Sequence, residues 1–267
     1  MTDTLPPAIP AATLILLRDR PGAFPEIPMI GRGAHLAFAA SRMVFPGGRV
    51  DADDHVFAGR PDLLVDGPAI DPEDLAHRIT AIRETIEEIG LAPGIEAIGE
   101  VGRLAAMRAA LHDGEPLSAI LGRLGLRINP HDIHPFARWR PDHELSRRFD
   151  TRFYIARAPD LGEARADGSE SSHLVWATAE RHLANKALIF PTIRNLERIG
   201  QAGDFDAAVA LARRYPVEMV TPWIETRDGE HFLCIPDTLG YPVTVAPIAD
   251  VDRDSDPNRP SITLNPG

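Results

Sequence analysis

Residues 83–91, Arg-Glu-Thr-Ile-Glu-Glu-Ile-Gly-Leu, gather the side chains of this chain best able to do chemistry. Glu84, Glu87 and Glu88 stand at i, i+3 and i+4, so a helix carries all three carboxylates on one side. Alone they repel. A bound divalent cation would turn that repulsion into coordination, because hard cations such as Mg²⁺ take carboxylate oxygens and bridge to phosphates. A solvated acidic face is the plain alternative, and three neighbouring features weigh against it. Arg83 can pair with a carboxylate and fix its rotamer. Gly90 stands where a helix commonly ends in a left-handed residue. Upstream, Phe45-Pro46-Gly47-Gly48-Arg49-Val50-Asp51 offers backbone without Cβ atoms, able to approach a phosphate or metal closely.

The element that must position the glutamates starts with Asp71 as N-cap and Pro72 in the first helical position, followed by acids in the first turn. Ile79, Ile82, Ile86 and Ile89 repeat at helical spacing and supply its buried stripe, so the pattern predicts a helix to about Ile89. Before it, Ala11–Leu17 reads as a buried strand, 18–34 as a Gly/Pro loop, and Ala37–Phe45 as an apolar strand or extended segment. Residues 52–70 read as a loop with at most a short helix, and 95–101 as a strand. Residues 103–111 and 117–124 form an αα-hairpin pattern around Asp113-Gly114. Ile133–Trp139, Thr151–Ala158 and Leu174–Ala177 read as strands, with helices near 178–183, 192–200 and 204–215. Asp228-Gly229 predicts a β-hairpin between 217–224 and 231–235, able to pack on its own domain or on a partner in a homodimer. Residues 248–267 read as an extended tail.

A second cluster is basic. Arg147-Arg148-Phe149-Asp150-Thr151-Arg152-Phe153 concentrates three arginines, and strand alternation puts Arg148, Asp150 and Arg152 on one face. Arg148 and Arg152 suit bidentate phosphate contact, and a salt-bridge ladder with Asp150 is the competing reading. Composition narrows the rest. The chain has 267 residues, 44% hydrophobic and 25% charged, as in an ordinary globular protein. A formal charge of −11 argues against unaided binding to a nucleic-acid backbone. The single cysteine, Cys234, excludes a disulfide framework and a multi-cysteine metal site. No apolar run approaches the length of a membrane span and no targeting signal is recognisable, so a cytoplasmic location is expected.

Taken together, the glycine turn and the Arg83–Leu91 stretch resemble the signature of the Nudix hydrolases, Gly-x5-Glu-x7-Arg-Glu-U-x-Glu-Glu-x-Gly-U with U aliphatic. Arg83 lies 35 residues beyond Gly48 where that signature places it 14 beyond, so 21 extra residues split the motif. Asp54 takes the signature's first Glu position, and Thr85 stands where an aliphatic residue is usual. The resemblance implies an α/β/α sandwich with a mixed sheet, a Nudix domain over 1–202 with a loop insertion at 52–70 and a helical insertion at 103–124, and a C-terminal extension over 203–267. It implies hydrolysis of a diphosphate with Mg²⁺ or Mn²⁺. Glu87 and Glu88 would be direct metal ligands, Glu84 a ligand or base, and the Gly48 carbonyl a further ligand. Arg83 would orient a glutamate, and Gly47 would lie against substrate. Such enzymes recruit one more acid from a distant loop, and order along the chain points to Glu170, with Asp51 and Asp54 as alternatives. The split motif and the later Arg-Phe-Asp-Thr-Arg-Phe resemble the peroxisomal coenzyme A diphosphatases (Nudix motif 19 type). That implies cleavage of CoA or acyl-CoA to 3′,5′-ADP and (acyl)phosphopantetheine. ADP-ribose, an NDP-sugar or a dinucleoside polyphosphate are alternative substrates, and a non-catalytic nucleotide sensor is the alternative from another class.

Overall fold

Strand β1 (Ile9–Arg20) is the axis of the molecule. The computed structural model describes residues 7–32, 42–96, 98–141, 148–168, 171–185 and 188–252. Leu14, Ile15, Leu16 and Leu17 are all almost completely buried, because both faces of β1 are covered. Ala12, Leu14 and Leu16 face one core, while Ile15 and Leu17 face the other.

From β1 the chain turns at Gly22, whose φ of 72° suits glycine, into β2 (Ala23–Arg32). This corrects the expectation of a loop over 18–34. Ile27, Met29 and Ile30 bury on two faces, and that burial outweighs the breaker tendency of Pro25 and Pro28. Most of the segment 37–45 lies outside the described residues, and β3 (Met43–Val44) closes it. β4 (Gly47–Arg49) pairs antiparallel with the first half of β1, Gly47 opposite Thr13 and Gly48 opposite Ala12. A short helix α1 (Ala52–Ala58) and a 3₁₀ turn (Pro61–Leu63) follow, within the segment read as a loop with at most a short helix.

The long helix α2 (Pro72–Ile89) begins and ends as its sequence dictates. The Asp71 side chain accepts from the Asp74 N–H at 3.0 Å, and Gly90 closes the helix at φ 70°. Ile79, Ile82, Ile86 and Ile89 are fully buried against β1 and its neighbours, each worth about 2 kcal/mol. No strand is found among the described residues of 95–101. Ile95 makes one isolated bridge to Ile128, and Gly94 and Gly99, at φ 69° and 75°, bend the chain before α3 (Val101–His112) begins. α3 and α4 (Leu117–Leu124) form the expected helical hairpin over the same core.

Beyond it come β5 (His134–Trp139), β6 (Phe149–Arg157), β7 (Ser171–Ala177), α5 (Ala179–Leu183), α6 (Phe190–Ile199) and α7 (Phe205–Arg214). β8 (Met219–Val220) completes the main sheet, whose order is β3-β2-β1-β6-β5-β8, with β4 on β1 and β7 on β2. β6 runs parallel to β1 and most other pairs are antiparallel, so the sheet is mixed. Helices α2, α3 and α4 cover one face, and α6 and α7 the other. The result is an α/β/α sandwich.

β9 (Trp223–Arg227) and β10 (Glu230–Cys234) form the Asp228-Gly229 hairpin, with both turn residues at positive φ, and β11 (Val245–Pro247) joins them. Leu233, Ile235, Leu239 and Tyr241 belong to the second core, so this unit packs on its own chain. The Trp139 indole donates to the Tyr241 hydroxyl at 2.9 Å, and that hydroxyl donates to Asn195 at 3.2 Å. α8 (Ile248–Asp252) is the last described element, so the start of the expected tail is helical. No helix among the described residues is long and apolar enough to cross a membrane.

Candidate active site

The last two turns of α2 face β4 and α1, and one guanidinium organises the contact. Arg83 donates to Asp54 twice, from Nε at 3.1 Å and Nη2 at 2.9 Å. The same side chain reaches Glu84 at 2.8 Å, Glu87 at 3.3 Å and the Arg49 carbonyl at 3.0 Å. Asp54, only 2% exposed, also accepts from Thr80 Oγ1 at 2.8 Å and from the Asp51 N–H at 3.0 Å. Residues 54 and 83 therefore meet directly, and the 21 additional residues loop out between them. The split motif is closed in space.

Crowding, not positive φ, explains the glycines: backbone excludes a Cβ at position 47, and at 48 a Cβ would displace the Glu84 carboxyl. A Cβ on Gly48 would fall inside the Glu84 carboxyl, and one on Gly47 would meet the Ala12 carbonyl and Thr13. The Gly47 N–H donates to Glu88 Oε2 at 2.8 Å. The glycine backbone thus makes its close approach to the glutamates themselves. Burial pushes the Glu84 carboxyl up to about 7, reinforced by Glu87 and Asp54 and opposed by Arg83. Burial by itself would lower Arg83, but the Asp54 hydrogen bonds and the charges of Glu84, Asp54 and Glu87 hold it above its ordinary value. One cation answers four acids, Asp51 at 3.6 Å being the most distant.

Among the described residues, no three acidic, histidine or cysteine side chains converge tightly enough to ligate one ion. Glu84 and Glu87 hold Arg83, and Glu88 holds the Gly47 N–H. The donor set nevertheless fits a hard divalent cation in chemistry, being oxygen-only and clustered on adjacent helical turns. Coordination would require Glu87 and Glu88 to turn from these partners.

Sequence reasoning missed a brace on this helix. Arg108, on α3, donates from Nε to the Glu87 carbonyl and from Nη2 to the Glu88 carbonyl, both at 2.9 Å. The Arg165 N–H takes the Ile89 carbonyl at 3.0 Å. These bonds satisfy carbonyls that a helix end leaves without partners. No local spacing could have flagged Arg108, because its partners lie 20 and 21 residues away.

Arg152, expected to meet a phosphate, is placed elsewhere. Arg152 pairs with Asp74 at 3.3 Å, and Tyr154 donates to the same oxygen at 2.8 Å. Asp74 precedes Glu84 by ten residues on α2, about 15 Å along the axis, so the Arg152 guanidinium is held at the far end of the helix. Asp150 pairs with Arg138 through bonds of 2.8 and 2.7 Å. Its carboxyl, which burial alone would raise, is held below the usual range by Arg138. Arg148 precedes β6, and its carbonyl accepts from the Ile9 N–H at 2.8 Å. Asp51 is exposed at the start of α1, with its carboxylate 3.6 Å from the Arg83 guanidinium, so it borders the cluster. Glu170 lies outside the described residues. The structure therefore brings Arg83, Glu84, Glu87, Glu88, Gly47, Gly48 and the alternative acids Asp54 and Asp51 together, adds Arg108, and separates Arg152.

Fold and site together define an α/β/α sandwich of the Nudix type, with an acidic helix set against a glycine turn. No family model matches the sequence. Among solved structures, a Nudix hydrolase from Alicyclobacillus acidocaldarius is similar at 27% identity and a TM-score of 0.68, over 78% of this chain and 97% of that one. A MutT protein from Methanosarcina mazei Go1 matches at 14% identity and a TM-score of 0.40, over 72% of this chain and 92% of that one. A Nudix hydrolase from Nitrosomonas europaea matches at 12% and 0.41, over 82% and 81%. The first of these supports a place for this chain in the Nudix hydrolase superfamily.

Proposed function

We propose that the chain is a Mg²⁺- or Mn²⁺-dependent diphosphatase acting on a nucleoside diphosphate derivative, with coenzyme A or an acyl-CoA as its substrate. The observation that carries this reading is the array around Arg83, in which Asp54 and Arg83 lock the helix, Glu84 and Glu88 lie against Gly48 and Gly47, and Glu87 rests on Arg83. Glu87 and Glu88 would hold the cation, with Glu84 as a further ligand or as the base. A bound divalent cation neutralises diphosphate oxygens and polarises the attacking water. A carboxylate takes one proton from that water, a new P–O bond forms, and the bridging P–O bond breaks with its electron pair leaving on the second phosphate. Arg83 would keep the glutamates in register and leave substrate contact to other groups. The substrate assignment is supported by the sequence resemblance alone, in the Phe45-Pro46-Gly47-Gly48 turn and the split motif.

A panel of CoA, acyl-CoA, ADP-ribose, NDP-sugars and dinucleoside polyphosphates, run in ¹⁸O water with mass-spectrometric products, tests this. CoA should yield 3′,5′-ADP and phosphopantetheine, with the label identifying the phosphorus attacked. Glu87→Gln and Glu88→Gln should each remove nearly all turnover while circular dichroism stays native. Full activity in the double variant would discard the ligand assignment.

A further inference from the structure

A cavity of about 290 Å³ opens where the C-terminal ends of β1, β6 and β7 approach the end of α2. Its lining includes Arg18, Leu91, Ala158, Gly162, Ala164 and Trp176. The Arg18 guanidinium lies over the Trp176 indole, 3.8 Å from the ring centroid. Glu26 holds it there, accepting from Nε at 3.2 Å and Nη2 at 2.8 Å.

Three properties of this lining define its ligand. The Arg18–Trp176 stack is a preorganised π surface, the kind on which a planar base lies irrespective of its sequence identity. Ala158, Gly162 and Ala164 project little side chain into the space beside it, which leaves room for a flat group. The charge of Arg18 is already answered by Glu26, so the cavity does not call for a phosphate. Glu163, whose Oε2 accepts from Arg165 at 2.6 Å, has a second carboxylate oxygen able to accept from an exocyclic amine. A flat, uncharged heterocycle bearing an amine meets all of these demands, and adenine is such a group.

Placement agrees with that chemistry. Leu91 lies three residues beyond Glu88, and Arg18 lies five residues beyond Thr13, the strand partner of Gly47, which is about 16 Å along β1. The cavity thus shares β1 with the glycine turn and borders the end of the helix that carries the glutamates. We infer that this cavity receives the adenine-type base of the substrate, with Trp176 as its stacking partner and Arg18 as a positioning residue behind the ring. The inference rests on the diphosphatase reading above.

The test uses the full chain without metal and AMP as the probe, so that binding is read apart from turnover. Calorimetric titration should show AMP weakened about tenfold in Trp176→Leu, with most affinity restored in Trp176→Phe. Ribose 5-phosphate should bind the wild type and Trp176→Leu alike. Arg18→Met should weaken AMP by a smaller factor and supplies the same test if Trp176→Leu does not fold. Unchanged AMP affinity in folded Trp176→Leu or Arg18→Met, or no AMP binding by the wild type, overturns the inference. If the wild type hydrolyses CoA with a KM that Trp176→Leu leaves unaltered, the cavity assignment fails and the hydrolase reading survives. If AMP binding depends on Trp176 but no diphosphate in the panel is cleaved, the hydrolase reading fails and the cavity stands.

Discussion

Removing Asp54 should cost more stability than its short side chain suggests, because it strands a buried guanidinium. Asp54 accepts four hydrogen bonds, two of them from Arg83, whose side chain is 10% exposed. Breaking a buried ion pair from one side costs about 3–5 kcal/mol. Glu84 and Glu87 remain within reach of Arg83 and can offset part of that, so Asp54→Ala should lose about 3 kcal/mol. Arg83→Met strands acids in turn and should lose a similar amount. The double variant strands neither partner of the Asp54–Arg83 pair, so its loss should fall short of the sum by about 2 kcal/mol or more. Urea unfolding of all four proteins, with midpoints compared at constant slope, measures the coupling. Additivity within about 0.5 kcal/mol would refute the claim that this pair closes the split motif.

Arg108→Ala should lose about 1–3 kcal/mol and lower kcat with little change in KM, because the carbonyls of Glu87 and Glu88 lose their donors. Arg108→Lys should restore only part of this, and urea unfolding beside steady-state kinetics reads both effects. Gly48→Ala should displace the Glu84 carboxyl and lower kcat about 100-fold while circular dichroism stays native. His182, buried and donating to the Ile27 carbonyl at 2.8 Å, has its pKa lowered from 6.5 by burial. Its folded value lies below its unfolded one, so its contribution is fully present above pH 6.5 and disappears as pH falls through the depressed value. His182→Gln should flatten that part of the stability profile between pH 7.5 and 5, measured by urea unfolding at each pH.

The site was legible where one helix carried it. The α2 cap, its isoleucine stripe, the three glutamates and the terminal Gly90 are all local patterns, and all of them formed. Thr85 shows why an unexpected residue can be tolerated. Its hydroxyl is buried but donates to the Ala81 carbonyl at 2.7 Å, so it packs as an aliphatic residue would. Contacts between distant elements were not legible. Arg152 looked like a phosphate ligand because three arginines cluster there and strand alternation puts it on one face with Arg148, yet nothing local showed that Asp74 on α2 pairs with it. β2 was hidden by its prolines and glycines, since burial on a sheet between two cores is a tertiary fact. The segment at 95–101 failed the opposite way, being apolar enough for a strand but bent by Gly94 and Gly99.

The polarity of α2 gives its acidic cluster a further meaning. Glu87 and Glu88 occupy the last turn, where the helix macrodipole is negative, and that turn contains no basic residue of its own. Carboxylates at this pole work against the field of their own backbone. Arg108, reaching in from α3, is the one resident cation bonded to those last carbonyls among the described residues. The helix end is thus electrostatically frustrated, and any positive charge brought beside the glutamates relieves both their mutual repulsion and the dipole. Stability surrendered at that pole becomes affinity for whatever cation arrives there.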